Sequence, residues 1–309
     1  MAKHIGKRLL QFVPVLIGIT LLTFVLLQLA PGDPATSRLA AGGITPTAEA
    51  LAKTRHEMGL DKPVVIQYVD WIKDMLTGNF GNSYITDQPV SKLIADALPY
   101  TLRMAFLSMI LALLISIPTG IYTAAHKDSF GDSVARGFSF IGNALPNFII
   151  AIFLLYVFSY KLAIIPILSV TEIRGMILPT VTLALVMSSR FIRQIRAATL
   201  DELSKDYVVG LRARGISERD ILYKNVLKNI MVILITIVGF SMGSLLGGTV
   251  VVETIFNWPG LGDMAMEAIS RRDYPVVQGF VVWMSIMYMV INLITDISYT
   301  WFNPKIKEI

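Results

Sequence analysis

Apolar residues in this chain come in runs too long for a soluble core. Leu9–Ala30 and Met104–Ala125 each hold 22 residues without a charge, Gly137–Tyr160 and Asn229–Val252 hold 24, and Tyr274–Thr295 holds 22. A membrane-spanning helix needs about 20 mostly apolar residues. Gly175–Ser189 is shorter, at 15, but the apolar pattern resumes with Phe191 and Ile192. The pattern predicts an all-α polytopic membrane protein with six transmembrane helices. Arg190, Arg193 and Arg196 follow the fourth run at three-residue spacing. Their long side chains are expected to reach the inner interface from one helix face. The first run follows Lys3, Lys7 and Arg8 and exceeds the roughly 7–15 apolar residues of a signal peptide. It reads as a retained span, with Pro31-Gly32-Asp33-Pro34 as the turn that leaves the membrane.

Between the first two spans, residues 31–98 carry their own helical pattern. Thr45-Pro46-Thr47 precedes a run with Leu51 and Met58 that Gly59 can end. Asp61-Lys62-Pro63 opens a second run, with Pro63 near the first turn, where its missing N–H costs nothing. Val64, Val65, Tyr68, Trp71, Ile72, Met75 and Leu76 recur at helical spacing up to Gly78. Gln88-Pro89 opens a third, with Val90, Leu93, Ile94 and Ala97 on one face, expected to lie along the membrane surface as an elbow. The segment reads as a helical cap. The chain divides at this level into 1–98, a span with its external helical segment, and 99–309, a five-helix core.

The loop 197–228 is polar enough to lie outside the membrane yet keeps helical periodicity. Asp206-Tyr207-Val208-Val209-Gly210-Leu211 predicts a short helix, Arg212-Ala213-Arg214-Gly215 a turn, and Ser217 a cap for the next helix, with Glu218 and Asp220 in its first turn and Arg219 between them. A connector needs only a few residues, so 32 with two helices imply a docking element for a soluble partner. After the fifth span, Glu253 through Gly262 contain Trp258, Pro259 and Gly260. Pro-Gly predicts a tight turn, Gly262 a second one, and Trp258 an interfacial anchor.

Composition supports the membrane reading: 54% hydrophobic and 16% charged residues, with a mean hydropathy of +0.62. An average domain has about 25% charged residues. The absence of cysteine excludes thiolate metal sites and cysteine nucleophiles. Lysine and arginine are asymmetric. With the N-terminus inside, the short cytoplasmic pieces hold 16 of them and the short external pieces 4. This puts both termini and the loop 197–228 in the cytoplasm, and it assigns the basic balance to lipid headgroups and soluble partners instead of nucleic acid. No phosphate-cradling Gly-x-x-x-x-Gly-Lys-Ser/Thr loop, His-Glu-x-x-His helix or Gly-x-Ser-x-Gly elbow occurs. No catalytic, cofactor or metal site is expected, and no ATPase activity from the chain alone. The charge-free runs offer no proton relay, and Gln28, Asn143, Asn147 and Asn292 within them read as helix–helix hydrogen bonds. A self-sufficient channel or secondary carrier is the alternative class. Transport without nucleotide would distinguish it.

These residues resemble a known family. The basic start, Pro31-Gly32-Asp33-Pro34, Gly59-Leu60-Asp61-Lys62-Pro63 with Gln67-Tyr68, and Phe80-Gly81 with Ser83 match the permease subunits of binding-protein-dependent ABC importers. So do Asp206-Tyr207 with Arg212-Ala213-Arg214-Gly215, Glu253 through Gly262, Arg272-Asp273-Tyr274-Pro275-Val276-Val277-Gln278-Gly279, and Asn303-Pro304-Lys305-Ile306. The resemblance is to the first permease type of the peptide/nickel branch. It implies a type I importer permease fold in a prokaryotic cell membrane. The implied partners are a second permease, two cytoplasmic ATPases and an external solute-binding protein. It further implies ATPase docking through Asp206, Tyr207, Arg212, Ala213, Arg214, Gly215, Glu218 and Arg219. Val209-Gly210-Leu211 stands where the family carries Glu-Ala-Ala, and only Gly215 fits that motif. The short external loop Lys161–Gly175 and the segment Thr45 to Asp61 favour nickel or a nickel chelate over peptides as the solute, with selectivity in the binding protein.

Overall fold

The computed structural model describes residues 2–166 and 173–302, without the side chains of 2–5, 7–9 and 299–302. The matching segment Asn303-Pro304-Lys305-Ile306 and the middle of the loop 161–175 lie outside the described residues. Within them the chain is helical, without strands and with one isolated bridge between Asn82 and Pro89. Five of the described helices are long and apolar enough to cross a membrane, and a bent pair brings the number to six when it is counted as one broken span. The chain divides into two compact units, Met1–Thr101 with Pro259–Met289, and Leu102–Trp258 with Val290–Ile309.

In the first unit, α1 (Ala2–Leu29) is followed by α2 (Pro34–Ala41), α3 (Ala48–Glu57) and α4 (Val64–Leu76). Asp33 caps α2 by accepting from the Ala35 N–H, and Thr47 caps α3 by accepting from the Ala50 N–H, as oxygen side chains do at helix starts. Proline occupies the first position of α2 and the N-cap of α4. Tyr68 of α4 packs edge-on against Phe24 at 5.2 Å, and its hydroxyl lies 3.2 Å from Thr20 Oγ1. The helix expected as a surface elbow is instead the start of α5 (Val90–Ala125), one 36-residue helix. Its apolar face has protein to cover it. Val90, Ile94 and Ala97 are buried in one cluster with Leu261, Ala268, Val276 and Val277. The last four come from α12 (Leu261–Arg271) and the start of α13 (Tyr274–Phe302). Gly262 lies within α12 and is buried there, so it forms no second turn. Trp258 is 4% exposed, so it is no belt residue.

The second unit is built around α8 (Ile173–Leu203), the most buried of the spans. The fourth span therefore continues past Ser189, as the resumed apolar pattern at Phe191 and Ile192 predicts. Serines on α5 and α8 settle their alignment: Ser108 donates to the Thr180 carbonyl at 3.2 Å and Ser188 to the Ala112 carbonyl at 3.5 Å. Small residues permit close approach of neighbours, Gly120 against Ile195 and Gly142 against Ser189. The third span is not continuous. It consists of α6 (Phe130–Ala144) and α7 (Asn147–Leu154), the latter extended by π-helical winding to Lys161, with a bend of 105°. Pro146 has no N–H to continue the ladder and holds Leu145 in an extended conformation at ψ 130°.

An ion pair holds α6 on α8. Asp132 is fully buried and receives Arg196 Nε at 2.7 Å and Nη2 at 2.8 Å. The Asp128 N–H donates to the same carboxylate at 3.0 Å. Arg136 Nε, one turn along α6, stands 3.6 Å from the same carboxylate, so loss of Arg196 removes its two close bonds and leaves only this longer contact, at a cost of up to about 3 kcal/mol. Arg196→Met should therefore lower the unfolding temperature of the detergent-solubilised chain, and Arg196→Met with Asp132→Leu should recover most of the loss. Equal stability of the single variant and the parent would show that the pair does not hold α6.

Candidate functional site

Two features of the second unit carry chemistry, the exposed segment expected to dock a soluble partner and a cleft with one polar wall. The docking segment starts where α8 ends. α9 (Asp206–Ala213) follows, and a short α10 (Glu218–Asp220) runs through π-helical winding over Ile221–Val226 into α11 (Leu227–Phe256). Three anchors seat α9. Val208 is fully buried. Glu202, at the end of α8, receives Lys205 Nζ at 2.5 Å and Asn229 Nδ2 at 2.8 Å. Tyr207 is half-buried, and burial together with the Glu202 carboxylate pushes its phenol pKa up.

The turn between α9 and α10 is a Schellman closure. The Gly215 N–H donates to the Arg212 carbonyl at 2.9 Å, and the Ile216 N–H to the Leu211 carbonyl at 3.2 Å. Gly215 has φ +75°, and a Cβ there would meet nothing within 4 Å. The constraint is backbone conformation, not space. Ser217 caps α10 by accepting from the Asp220 N–H. Arg212 reaches across the turn to Glu218 with Nε–Oε1 2.6 Å and Nη2–Oε2 3.2 Å. Asp206, Arg212, Ala213, Arg214, Gly215, Glu218 and Arg219 all lie exposed on this segment, whereas Tyr207 turns inward. The structure thus brings the predicted residues together and adds an internal role for two of them: Arg212 and Glu218 clamp the turn.

The cleft contains a charge that sequence reasoning placed at the inner interface. On α5 the charge-free stretch runs from Met104 to Ala125. Ala112, level with Ser188, lies about 12 Å from its outer end and about 20 Å from its inner end, at 1.5 Å per residue. Arg190 follows Ser188 by two residues, about 3 Å. Its side chain leans back toward the start of α8, as helical side chains do. The guanidinium therefore sits within the apolar thickness, where an arginine costs about 2.5–3.5 kcal/mol on insertion scales. It donates from Nε to Asn143 Oδ1 at 3.3 Å and faces an open cleft in which Asn147, Ser241, Ser244 and Gly248 stand beside apolar side chains that include Leu183, Met187 and Leu245. Asn147 begins α7 without a side-chain cap, directly after the broken turn. Among the described residues no carboxylate lies within ion-pair distance of Arg190. The legible signal was the Leu145-Pro146 break together with the apolar residues Phe191, Ile192 and Ile195 beyond Arg190.

The external turn residues are structural in geometry. Glu253 is fully buried, and the Trp258 N–H donates to the Glu253 carbonyl at 2.8 Å. Pro259 and Gly260 lead into α12, with Gly260 at its N-cap. In the first unit, three motifs far apart in sequence meet. Arg272 Nε donates to the Pro31 carbonyl at 3.0 Å, and a Cβ on Gly32 (φ +113°) would lie within 2.5 Å of the guanidinium. Ser83 Oγ and the Tyr84 N–H both donate to Asp273, at 2.5 and 2.9 Å. Burial pushes the Asp273 carboxyl up, and it pushes the Tyr84 phenol up to about 12.

Comparison with known proteins places this geometry. Residues 116–308 match the family described as "Binding-protein-dependent transport system inner membrane component", and residues 1–105 match its N-terminal counterpart. A probable peptide ABC transporter permease, y4tP, of Sinorhizobium fredii is 36% identical over 99% of this chain and 100% of its own length. The glutathione transport system permease GsiC of Salmonella choleraesuis is 37% identical over 99% of both chains, and that of Escherichia coli 35%. Among solved structures, an inward-facing MetNI methionine ABC transporter chain superposes with a TM-score of 0.57 at 16% identity, covering 68% of this chain and 96% of the other, a likeness of fold alone. The chain therefore belongs to the family of binding-protein-dependent ABC transporter permeases, with a type I permease fold.

Proposed function

We propose that this chain forms one half of the translocation pathway of an ATP-driven importer, and that the segment 197–228 receives the power stroke of a cytoplasmic ATPase. One observation carries the reading. The exposed turn leads directly into one helical rod, Glu218–Phe256, 39 residues long, and the same rod supplies one wall of the cleft. Displacing the cytoplasmic end of such a rod moves Ser241, Ser244 and Gly248 with it. The Schellman closure and the Arg212–Glu218 clamp make α9 and the rod move together. A second permease completes the open side of the cleft, two ATPases supply the energy, and an external binding protein delivers the solute. The relatives named for peptide and glutathione transport favour a peptide-like solute over nickel.

Three outcomes test the proposal. In the full transporter, Gly215→Val places a β-branched residue at φ +75° and should cost about 1–3 kcal/mol in the turn. ATPases should co-purify poorly and uptake should fail, while Gly215→Asn, which tolerates that conformation, should keep both. Normal ATPase recovery and uptake with Gly215→Val would remove the coupling role. For orientation, the cysteine-free background allows single labels. Thr86→Cys, exposed on the cap, should react with an impermeant reagent from outside, and Ser204→Cys should not. The reverse result would invert the topology. For the solute, the reconstituted complex should accumulate a labelled dipeptide only with ATP; uptake of nickel but not of the dipeptide would reverse the solute assignment, and uptake without nucleotide would favour a carrier.

A further inference from the structure

The charge in the cleft is not explained by coupling. Arg196, six residues further along α8, is neutralised by Asp132. Arg190 is exposed, bonded only to an amide oxygen, and lies beside backbone that the Leu145-Pro146 break leaves non-helical. Irregular backbone at membrane depth persists where it lines a water-filled cavity, and an intramembrane arginine faces such a cavity rather than lipid. The neighbouring groups suit an anion. Asn147 and Ser241 provide small polar donors, Ser244 adds a hydroxyl oxygen while donating its proton to the Ser241 carbonyl at 3.0 Å, and α7 begins at Asn147, so the positive end of its dipole lies at the same place. The guanidinium fork matches a carboxylate with two parallel N–H donors, and its second edge remains free after the Asn143 bond.

We infer that Arg190, with Asn147, Ser241 and Ser244, forms an anion-binding point midway along the pathway that selects solutes bearing a free carboxylate. The carboxylate leaves the binding protein, docks on the Arg190 guanidinium and is released when the rod bearing Ser241 and Ser244 shifts. Asn143 is a positioning residue: it holds Nε and aims the remaining donors into the cleft. The solute part of this inference rests on the importer reading above; the anion preference of the cleft does not.

Two measurements on the assembled transporter separate these parts. In the first, Ser244→Cys is exposed to thiosulfonate reagents of equal size, one anionic and one cationic. With Arg190 present the anionic reagent should react faster relative to the cationic one, and adding Arg190→Gln should lower that ratio roughly tenfold, the scale of electrostatic focusing in a cleft. A thiol unreactive to both reagents, or a ratio that Arg190→Gln leaves unchanged, would overturn the anion site. In the second, uptake of a dipeptide is compared with uptake of its C-terminal amide, corrected for each one's affinity for the binding protein. Arg190→Gln should reduce the dipeptide's uptake roughly tenfold relative to the amide's, and Arg190→Lys should retain part of the preference. Equal loss of both, with ATPases still bound, would make Arg190 structural and overturn the selectivity. A parent transporter that carries neither solute would refute the peptide reading, while the thiol ratio still decides the cleft.

Discussion

The buried pair between Asp132 and Arg196 sets the second unit. A carboxylate with no solvent exposure is tolerable only with its charge matched and its oxygens occupied, and Arg196 with the Asp128 N–H meets both conditions. Once Asp132 is held there, α6 must run along α8 from that point, and Gly142 is the residue that lets the two backbones meet at Ser189. The chain then reaches Pro146 while still against α8, and the bend occurs beside Arg190. The same arrangement consumes the only carboxylate on α6 that has an arginine partner, so Arg190 is left with an amide neighbour and an open face.

Rigidity and polarity are divided along the rod from Glu218 to Phe256. Its Glu218 end is locked by the glycine closure and by the Arg212–Glu218 clamp, and its seat is fixed by Asn229 on Glu202. Its middle carries serines and glycines, which pack closely and hydrogen-bond without bulk. Gly239 lies so close to Thr295 that a Cβ would meet its side chain at 2.1 Å. Such packing transmits displacement and does not absorb it, because dense interiors have no slack to take up a shift. The departure of Val209-Gly210-Leu211 from the family's usual motif fits this division. α9 is seated by Val208 and Tyr207, and Asp206, Val209 and Arg212 are on its exposed side.

The first unit shows how scattered motifs acquire meaning. Pro31-Gly32, Phe80-Gly81 with Ser83, and Arg272-Asp273 are separated by up to 241 residues, yet they form one knot in which a guanidinium closes over a glycine and a buried carboxylate collects a hydroxyl and an N–H. No periodicity within any of the three segments announces the others. Each reads alone as a turn, and the pairing exists only because α5, α12 and the start of α13 share one apolar cluster.

Local chemistry decided what the sequence could show. Apolar runs, caps and prolines are properties of a few consecutive residues, so the spans, the starts of α3, α4 and α10, and the helix–glycine–helix segment were legible in outline, whereas α2 stands where the sequence suggested only a turn. Asp33, Thr47 and Ser217 cap because of their own side-chain oxygens. Depth and partnership are not local. Arg190 looked like an interfacial residue because three arginines in a row suggest the end of a span. The alignment of α8 with α5 put it inside, and only helices meeting in space establish that. The Gln88–Leu98 segment looked like a surface elbow because nothing in its own residues names the cluster that buries Val90 and Ile94. Pro146 stood in the sequence, but proline inside an apolar run bends some helices and spares others. α5 runs through Pro99 and Pro118 unbroken, whereas at Pro146 the chain turns by 105°. The difference is set by what packs on either side of the proline, and that belongs to the tertiary structure.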